Sequence, residues 1–426
     1  MFSPIVGGAE VRAEKQARRL QALGHDVIVV TLRHNRRWKR TETLSGLSVI
    51  RAGGIYKRGG LLRTGRLGHL PIFVTVFLAL WRERRSYDVI HAFQLSPAAA
   101  FAGKLLHKPV VLSVQNTGPN ERERQLLDYG ARLMADTLTE TSFLTVDTKD
   151  WVAGAGDLDH FPQLALGNLM LRLLSKSGAV YQILSTRSRP YLTSHGFPAS
   201  QIVHIPGSVD TERFQPAPER RPDPAQPERD IICVARLDYR KGVDVLLHAW
   251  GRMMREPAEW RAHLKPRLCL VGEGKLRPQM ERIVTELAIQ DSVEFLGPRK
   301  DVVDLLQQCW CFVLPSRWEG MSNALLEAMA CGLPCVATRV SGSEDVITDG
   351  VNALMVEPEQ PVLLAQALRR IVEDAGLAQR LGWEARATVV RDYQVTTVVE
   401  QCLDLYQRLL AGEIKVLPLV LERRGE

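Results

Sequence analysis

Pro315-Ser316-Arg317-Trp318-Glu319-Gly320-Met321-Ser322-Asn323-Ala324-Leu325-Leu326-Glu327-Ala328-Met329-Ala330-Cys331-Gly332-Leu333-Pro334 is the stretch on which the reading of this chain turns. Cys309 to Leu314, just before it, is apolar and suits a buried strand; Gly320 and Ser322 suit a turn, and Asn323 to Ala330 are strong helix formers. A strand therefore feeds through a loop into a helix N-terminus. Backbone N–H groups left unpaired there, reinforced by the helix dipole, favour a diphosphate. Glu327 lies one turn inside that helix, where a carboxylate can accept from two vicinal hydroxyls such as those of a ribose.

The segment resembles the retaining glycosyltransferases of family 4. Their fold, GT-B, is α/β, with two doubly wound Rossmann-like domains facing across a cleft, and their signature is two glutamates separated by seven residues. Glu319 and Glu327 fit it. The resemblance implies that Glu319 lies near the donor sugar, that Glu327 binds the ribose, and that the amides of Gly320, Met321, Ser322, Asn323 and Ala324 hold the distal phosphate. Spacing alone carries little, since a lone Glu327 reads as a solvated helix residue. The surrounding Pro-Ser, Glu-Gly and Glu-Ala-Met-Ala-Cys-Gly-Leu-Pro context carries the ligand reading.

A second block, Val234-Ala235-Arg236-Leu237-Asp238-Tyr239-Arg240-Lys241-Gly242-Val243-Asp244, again reads strand, loop, helix. It leaves Arg236 and Lys241 at the C-terminal end of a strand, the edge at which open α/β sheets bind ligands. The resemblance makes both contacts to the donor diphosphate, where fixed positive charge stabilises a leaving group. The third block, Pro4-Ile5-Val6-Gly7-Gly8-Ala9-Glu10, precedes a helical stretch ending at Leu23-Gly24-His25 and a strand from Asp26 to Leu32. Gly7 and Gly8 let the backbone approach a phosphate or sugar closely, and Gly24 fits a helix C-cap. Family members place an apolar strand before this glycine loop, whereas this sequence starts Met1-Phe2-Ser3. The expectation is a first strand missing or cut to a stub.

Length and composition suit two domains: 426 residues, 45% hydrophobic and 24% charged, more than one compact core accommodates. The N-terminal domain is expected over 1–205, completed by a C-terminal helix in 394–426, and the nucleotide-sugar-binding domain over 206–393. Ala217 to Asp230, rich in proline and charge, reads as a surface connection, and Thr396 to Leu410 as an amphipathic helix. The seven cysteines show no zinc or redox spacing and read as buried thiols of a reducing compartment. With no visible signal peptide, the expected location is cytoplasmic, or peripheral at the inner face of the membrane.

Charge is uneven. Residues 1–130 hold 21 Lys or Arg against 9 Asp or Glu, more lopsided than the whole-chain net of +7. Arg33, Arg36, Arg37, Lys39, Arg40, Lys57, Arg58, Arg63, Arg66, Arg82, Arg84 and Arg85 surround the apolar run Leu70 to Trp81, whose 12 residues are too few for a bilayer span of about 20. A core helix with solvated basic flanks is one reading; an interfacial helix at an anionic membrane surface is the other. No nucleic-acid-binding motif accompanies the charge.

Val271-Gly272-Glu273-Gly274 lacks the third glycine of a dinucleotide fingerprint. It matches the family's turn instead, and Gly272, Pro298 and Arg299 fall where the resemblance places the base. His91 matches a recurring family histidine and reads equally as a hydrogen-bonded core residue. Gln115 stands where many relatives carry a histidine near the donor sugar; its amide can hydrogen bond but cannot titrate. Both are candidate sugar or acceptor contacts.

The resulting expectation is a retaining transferase that moves a sugar from a nucleoside diphosphate to a polysaccharide, glycolipid or other glycan acceptor. It would need no cofactor and no metal, with Arg236, Lys241, Glu319 and the helix amides at the reacting centre. Two rival readings are a sugar-nucleotide epimerase on the same fold and an inactive or truncated paralogue that only binds.

Overall fold

The computed structural model describes residues 8–53 apart from His34 and Arg36, residues 70–116, isolated 118 and 125, and 167–414 apart from 218, 220–222, 226 and 256–263. Gly7 and the basic residues Arg36, Lys57, Arg58, Arg63 and Arg66 lie outside the described residues. The chain divides into two compact units, one drawn from Met1–Thr117, Gly154–Gly207 and Val395–Glu426, the other from Gly118–Ala153 and Ser208–Gln394.

The first unit holds two sheets. One pairs β1 (Ile28–Leu32) parallel with β3 (Leu47–Ala52), and β3 antiparallel with β2 (Thr41–Leu44). The β2–β3 hairpin departs from a purely parallel expectation. Its two-residue turn, Ser45 and Gly46, has φ of 50° and 83°, the left-handed pair whose twist matches that of the flanking strands. The helix Gly8–Ala22 precedes this sheet, and Gly24, at φ 87°, ends it as a left-handed cap.

The other sheet runs β4 (Ile90–Ala92), β5 (Val110–Val114), β6 (Val180–Ile183) and β7 (Ile202–His204), all parallel. Alternation sorts its two faces. Val110, Leu112, Val114, Tyr181 and Ile183 enter a core that includes Leu80, Ala99 and Leu174, from the helices Leu70–Arg82, Pro97–Leu106 and Gly167–Ser175. Val111 and Val180 enter the opposite core, against Val398, Cys402 and Leu405 of the helix Val395–Leu410.

The second unit is one six-stranded parallel sheet: β8 (Glu228–Val234), β9 (Lys265–Val271), β10 (Val293–Gly297), β11 (Cys311–Leu314), β12 (Cys335–Thr338) and β13 (Leu354–Val356), in the order β10-β9-β8-β11-β12-β13. Every residue of β11 and β12 is buried, as a sheet covered by helices on both faces requires. β8 starts inside the stretch expected to be surface connection, because Arg229 is buried with its guanidinium 3.9 Å from the centre of the Trp310 ring. All seven cysteines are buried free thiols. No helix among the described residues is long and apolar enough to cross a membrane.

Candidate functional site

In the second sheet the chain builds outward from β8 to β9 and β10, then returns to lay β11 against the other side of β8. The reversal makes the C-terminal ends of β8 and β11 the topological switch point, where parallel sheets of this kind take ligands. The two loops leaving those ends carry Arg236 and Lys241 on one side and Glu319 on the other.

These loops are joined backbone to backbone. Arg317 N donates to Arg240 O at 2.8 Å. Gly242 sits at φ 61°, and a Cβ there would lie 2.1 Å from Pro315 O. Gly272, at φ 140°, brings the loop after β9 equally close: a Cβ would stand 1.9 Å from Ala235 O. Leu237 N donates to Glu273 O at 3.1 Å, and a Cβ on Gly342 would come within 2.6 Å of Gly320 O. Only glycine permits such approaches.

Lys241 Nζ forms an ion pair with Glu319 Oε1, the two side chains being 13% and 6% exposed. Ser316 Oγ also donates to that oxygen, at 3.1 Å. Burial alone would raise the Glu319 pKa; the charges of Lys241 and Arg240, with the hydrogen bonds, overcome it and hold the carboxyl below its usual range. Arg236 differs, being 63% exposed and 2.9 Å from Asp238. Lys241 is therefore fixed within the protein, and Arg236 stands at its surface.

Ser322 caps the helix Asn323–Ala330, its Oγ accepting from Leu325 N at 3.3 Å. The backbone from Gly320 to Ala324 thus sits at a helix N-terminus, with Glu319, Gly320 and Met321 buried and Asn323, Ala324 and Glu327 partly exposed. Pro298 and Arg299 follow β10, two strands away from β8 at the edge of the sheet, and Arg299 grips Asp301 through both carboxylate oxygens, at 2.8 and 2.5 Å.

Sequence reasoning missed Arg317. Its guanidinium is fully buried, donating to Tyr239 O at 2.7 Å and to both Asp244 oxygens at 2.8 and 2.7 Å, with Glu359 at 2.5 Å and the Tyr239 ring 3.9 Å away. It ties the loop bearing Lys241 to the loop bearing Glu319.

In the first unit, Gly8 opens the helix Gly8–Ala22, and Arg12 of that helix donates to Gln115 Oε1 just beyond β5. His91 on β4 is held at both ring nitrogens: Tyr406 OH and Gln16 Nε2 lie 2.5 and 3.2 Å from Nδ1, and Ser113 Oγ and Gln182 Oε1 lie 2.8 and 2.9 Å from Nε2. Gln182 donates its own amide N–H to Ile205 O at 3.0 Å, so its oxygen accepts from His91 and Nε2 carries the proton. Burial pushes the His91 pKa down to about 4, against the upward pull of the Gln182 hydrogen bond. A folded-state value below the ordinary 6.5 favours the neutral ring, so this contribution to stability is complete above about pH 6.5 and is lost as pH falls toward about 4. Urea midpoints of wild type and His91→Gln across that window should diverge most at neutral pH and converge in acid; parallel curves would contradict this.

Among the described residues no group of three or more His, Cys, Asp or Glu could hold a metal ion.

The second unit is thus a parallel sheet with basic residues after β8 and a carboxylate before a capped helix after β11. Residues 228–374 match the family described as glycosyl transferases group 1, and residues 6–213 match glycosyltransferase family 4. The chain is 30% identical to an MMP alpha-(1->4)-mannosyltransferase of Mycolicibacterium hassiacum, over 77% of this chain and 72% of that protein. It is 23% identical to a GDP-mannose-dependent alpha-(1-6)-phosphatidylinositol monomannoside mannosyltransferase of Mycolicibacterium smegmatis, over 80% and 89%. Sucrose-phosphate synthase of Thermosynechococcus elongatus superposes with a TM-score of 0.71 at 21% identity, covering 96% of this chain and 94% of that one. Anabaena HepE in complex with UDP-glucose gives 0.66 at 18% identity, covering 96% and 98%. This chain belongs to glycosyltransferase family 4 and has the GT-B fold.

Proposed function

We propose that the chain transfers a sugar, with retention of anomeric configuration and without a metal ion, from a nucleoside diphosphate sugar to a glycan or lipid-linked acceptor. The observation that carries this reading is the buried Lys241–Glu319 pair at the switch point, beside a capped helix N-terminus. Arg236, Lys241 and the amides at that N-terminus supply positive charge where a diphosphate would depart, the role a divalent cation fills in other sites. Glu319, ionised and held by Lys241, orients the donor sugar in this reading. Glu327, partly exposed one turn into the helix, accepts from the ribose hydroxyls. In a same-face displacement the bond from the anomeric carbon to the diphosphate breaks as the acceptor oxygen bonds to that carbon. The acceptor's proton passes to a departing diphosphate oxygen, so no protein base is obligatory. Gln115, which cannot titrate, is compatible with that route. One relative named above is a phosphatidylinositol monomannoside mannosyltransferase, which supports a lipid-linked acceptor.

A thermal-shift panel of UDP, GDP, ADP and their common sugars, with and without EDTA, tests the donor half. A ligand at a hundred times its Kd should stabilise by about 2.7 kcal/mol. We expect one nucleotide class to stabilise the wild type, to do so equally in EDTA, and to lose most of its effect on Glu327→Ala. A folded protein that no nucleotide stabilises would refute the donor site, and an effect abolished by EDTA would refute metal independence.

A further inference from the structure

We propose that Asp238 is a positioning residue for Arg236: it holds the guanidinium at the rim of the switch point before a ligand arrives, and so lowers the cost of setting that cation on a diphosphate. The inference rests on the donor reading above, in which Arg236 meets the departing diphosphate. The main chain under this pair is fixed. Leu237 N donates to Glu273 O and Leu237 O accepts from Leu276 N, both at 3.1 Å, so the loop after β9 grips this residue by both of its backbone polar groups. A Cβ on Gly274 would stand 2.1 Å from Leu237 O. Asp238 N donates to Arg236 O at 2.9 Å, and Asp238 O accepts from Lys241 N at 3.1 Å. The Arg236 side chain is the opposite case, long and 63% exposed. Such a chain loses rotamer freedom when a ligand fixes it, and that loss weakens binding unless the protein has already made it.

The carboxylate of Asp238 is diverted from its local task. Asp238 stands at the N-cap of the short helical turn Tyr239–Lys241, where an aspartate ordinarily accepts from a backbone N–H of the turn. It makes no such bond. Its Oδ2 lies instead 2.9 Å from Arg236 Nη2, with the aspartate side chain 11% exposed. Its Oδ1 is buried and accepts no hydrogen bond among the described residues. An aspartate placed for stability would cap the turn. An ion pair with so exposed a partner contributes little to stability, and an unsatisfied buried oxygen detracts from it. What the arrangement does provide is an anchor for the guanidinium on a rigid loop. The contact at Nη2 engages only part of the guanidinium fork, which leaves other N–H groups to reach phosphate oxygens. Lys241 is held in the same manner by Glu319, so each cation of the switch point has its own carboxylate.

Calorimetric titration of UDP, GDP and ADP into the full chain and into Asp238→Asn and Asp238→Ala tests this. Both substitutions remove the same charge, and only asparagine keeps an oxygen to hold Arg236, so the difference between them isolates the contact from the charge. We expect the nucleotide that the wild type binds to bind Asp238→Asn about 3–10-fold more tightly than Asp238→Ala. The difference should vanish when Arg236→Met is added to each. Urea midpoints of both single variants should not fall below that of the wild type. Equal affinities in the two variants, a difference that survives Arg236→Met, or a lowered midpoint in Asp238→Ala would overturn the proposal. A wild type that binds none of the three nucleotides would remove the donor reading and this inference with it, a result distinct from a wild type that binds and variants that do not differ.

Discussion

Replacing Arg317 with methionine is expected to destabilise the second unit by about 3–5 kcal/mol, the usual consequence of removing one partner from a buried ion cluster. The guanidinium faces Asp244 and Glu359, whose side chains are 6% and 3% exposed. Burial already raises the Glu359 pKa; Asp244, which burial would likewise raise, is held low by Arg317. With the arginine gone, both carboxyls favour the protonated form, so the deficit should shrink as pH is lowered toward the carboxylate range. Urea denaturation at neutral and mildly acid pH measures this directly. Adding Asp244→Asn and Glu359→Gln should recover part of the loss. An Arg317→Met protein as stable as its parent would sink the account.

Lys241→Met is expected to slow sugar transfer by about 10²–10³-fold, the typical effect of removing one preorganised positive donor from a developing negative charge. The loss should fall mainly on kcat, because the departing diphosphate is more negative in the transition state than in the bound donor. Glu319 would be left buried without its partner, so a stability loss will accompany the variant. Urea denaturation of Lys241→Met measures that stability loss by itself, and single-turnover kinetics under conditions where the variant is fully folded, using the donor class found in the nucleotide panel, measure the catalytic one. A fully folded Lys241→Met protein with wild-type kcat would reduce Lys241 to a structural partner of Glu319.

The strand, loop and helix of each switch-point block were legible because each is local. The apolar strand β11, the turn at Gly320 and the helix formers after Ser322 follow one another in sequence, and the structure places the helix at Asn323–Ala330 as expected. Arg317 was not legible although it lies inside the same block. A basic residue just beyond a strand ordinarily points to solvent; what buries it are Asp244 and Glu359, 73 and 42 residues away. His91 shows the same limit, since Tyr406 reaches it from 315 residues further on. The β2–β3 hairpin had a local signal, Ser45-Gly46 between two short extended runs, but the alternating pattern of the rest of the chain pointed to parallel strands.

The contacts at Gly242, Gly272 and Gly342 bear on how such a protein can be altered. Carbonyl oxygens occupy the space that a side chain would need, so close main-chain contact, together with the Arg317 cluster, holds the scaffold under the switch point. Side chains at its rim, such as Arg299, contribute little to that cohesion. A library aimed at changing donor preference can therefore randomise rim positions other than Arg236 and should keep the three glycines fixed, because a single methyl group at any of them would displace the ground on which every rim residue stands.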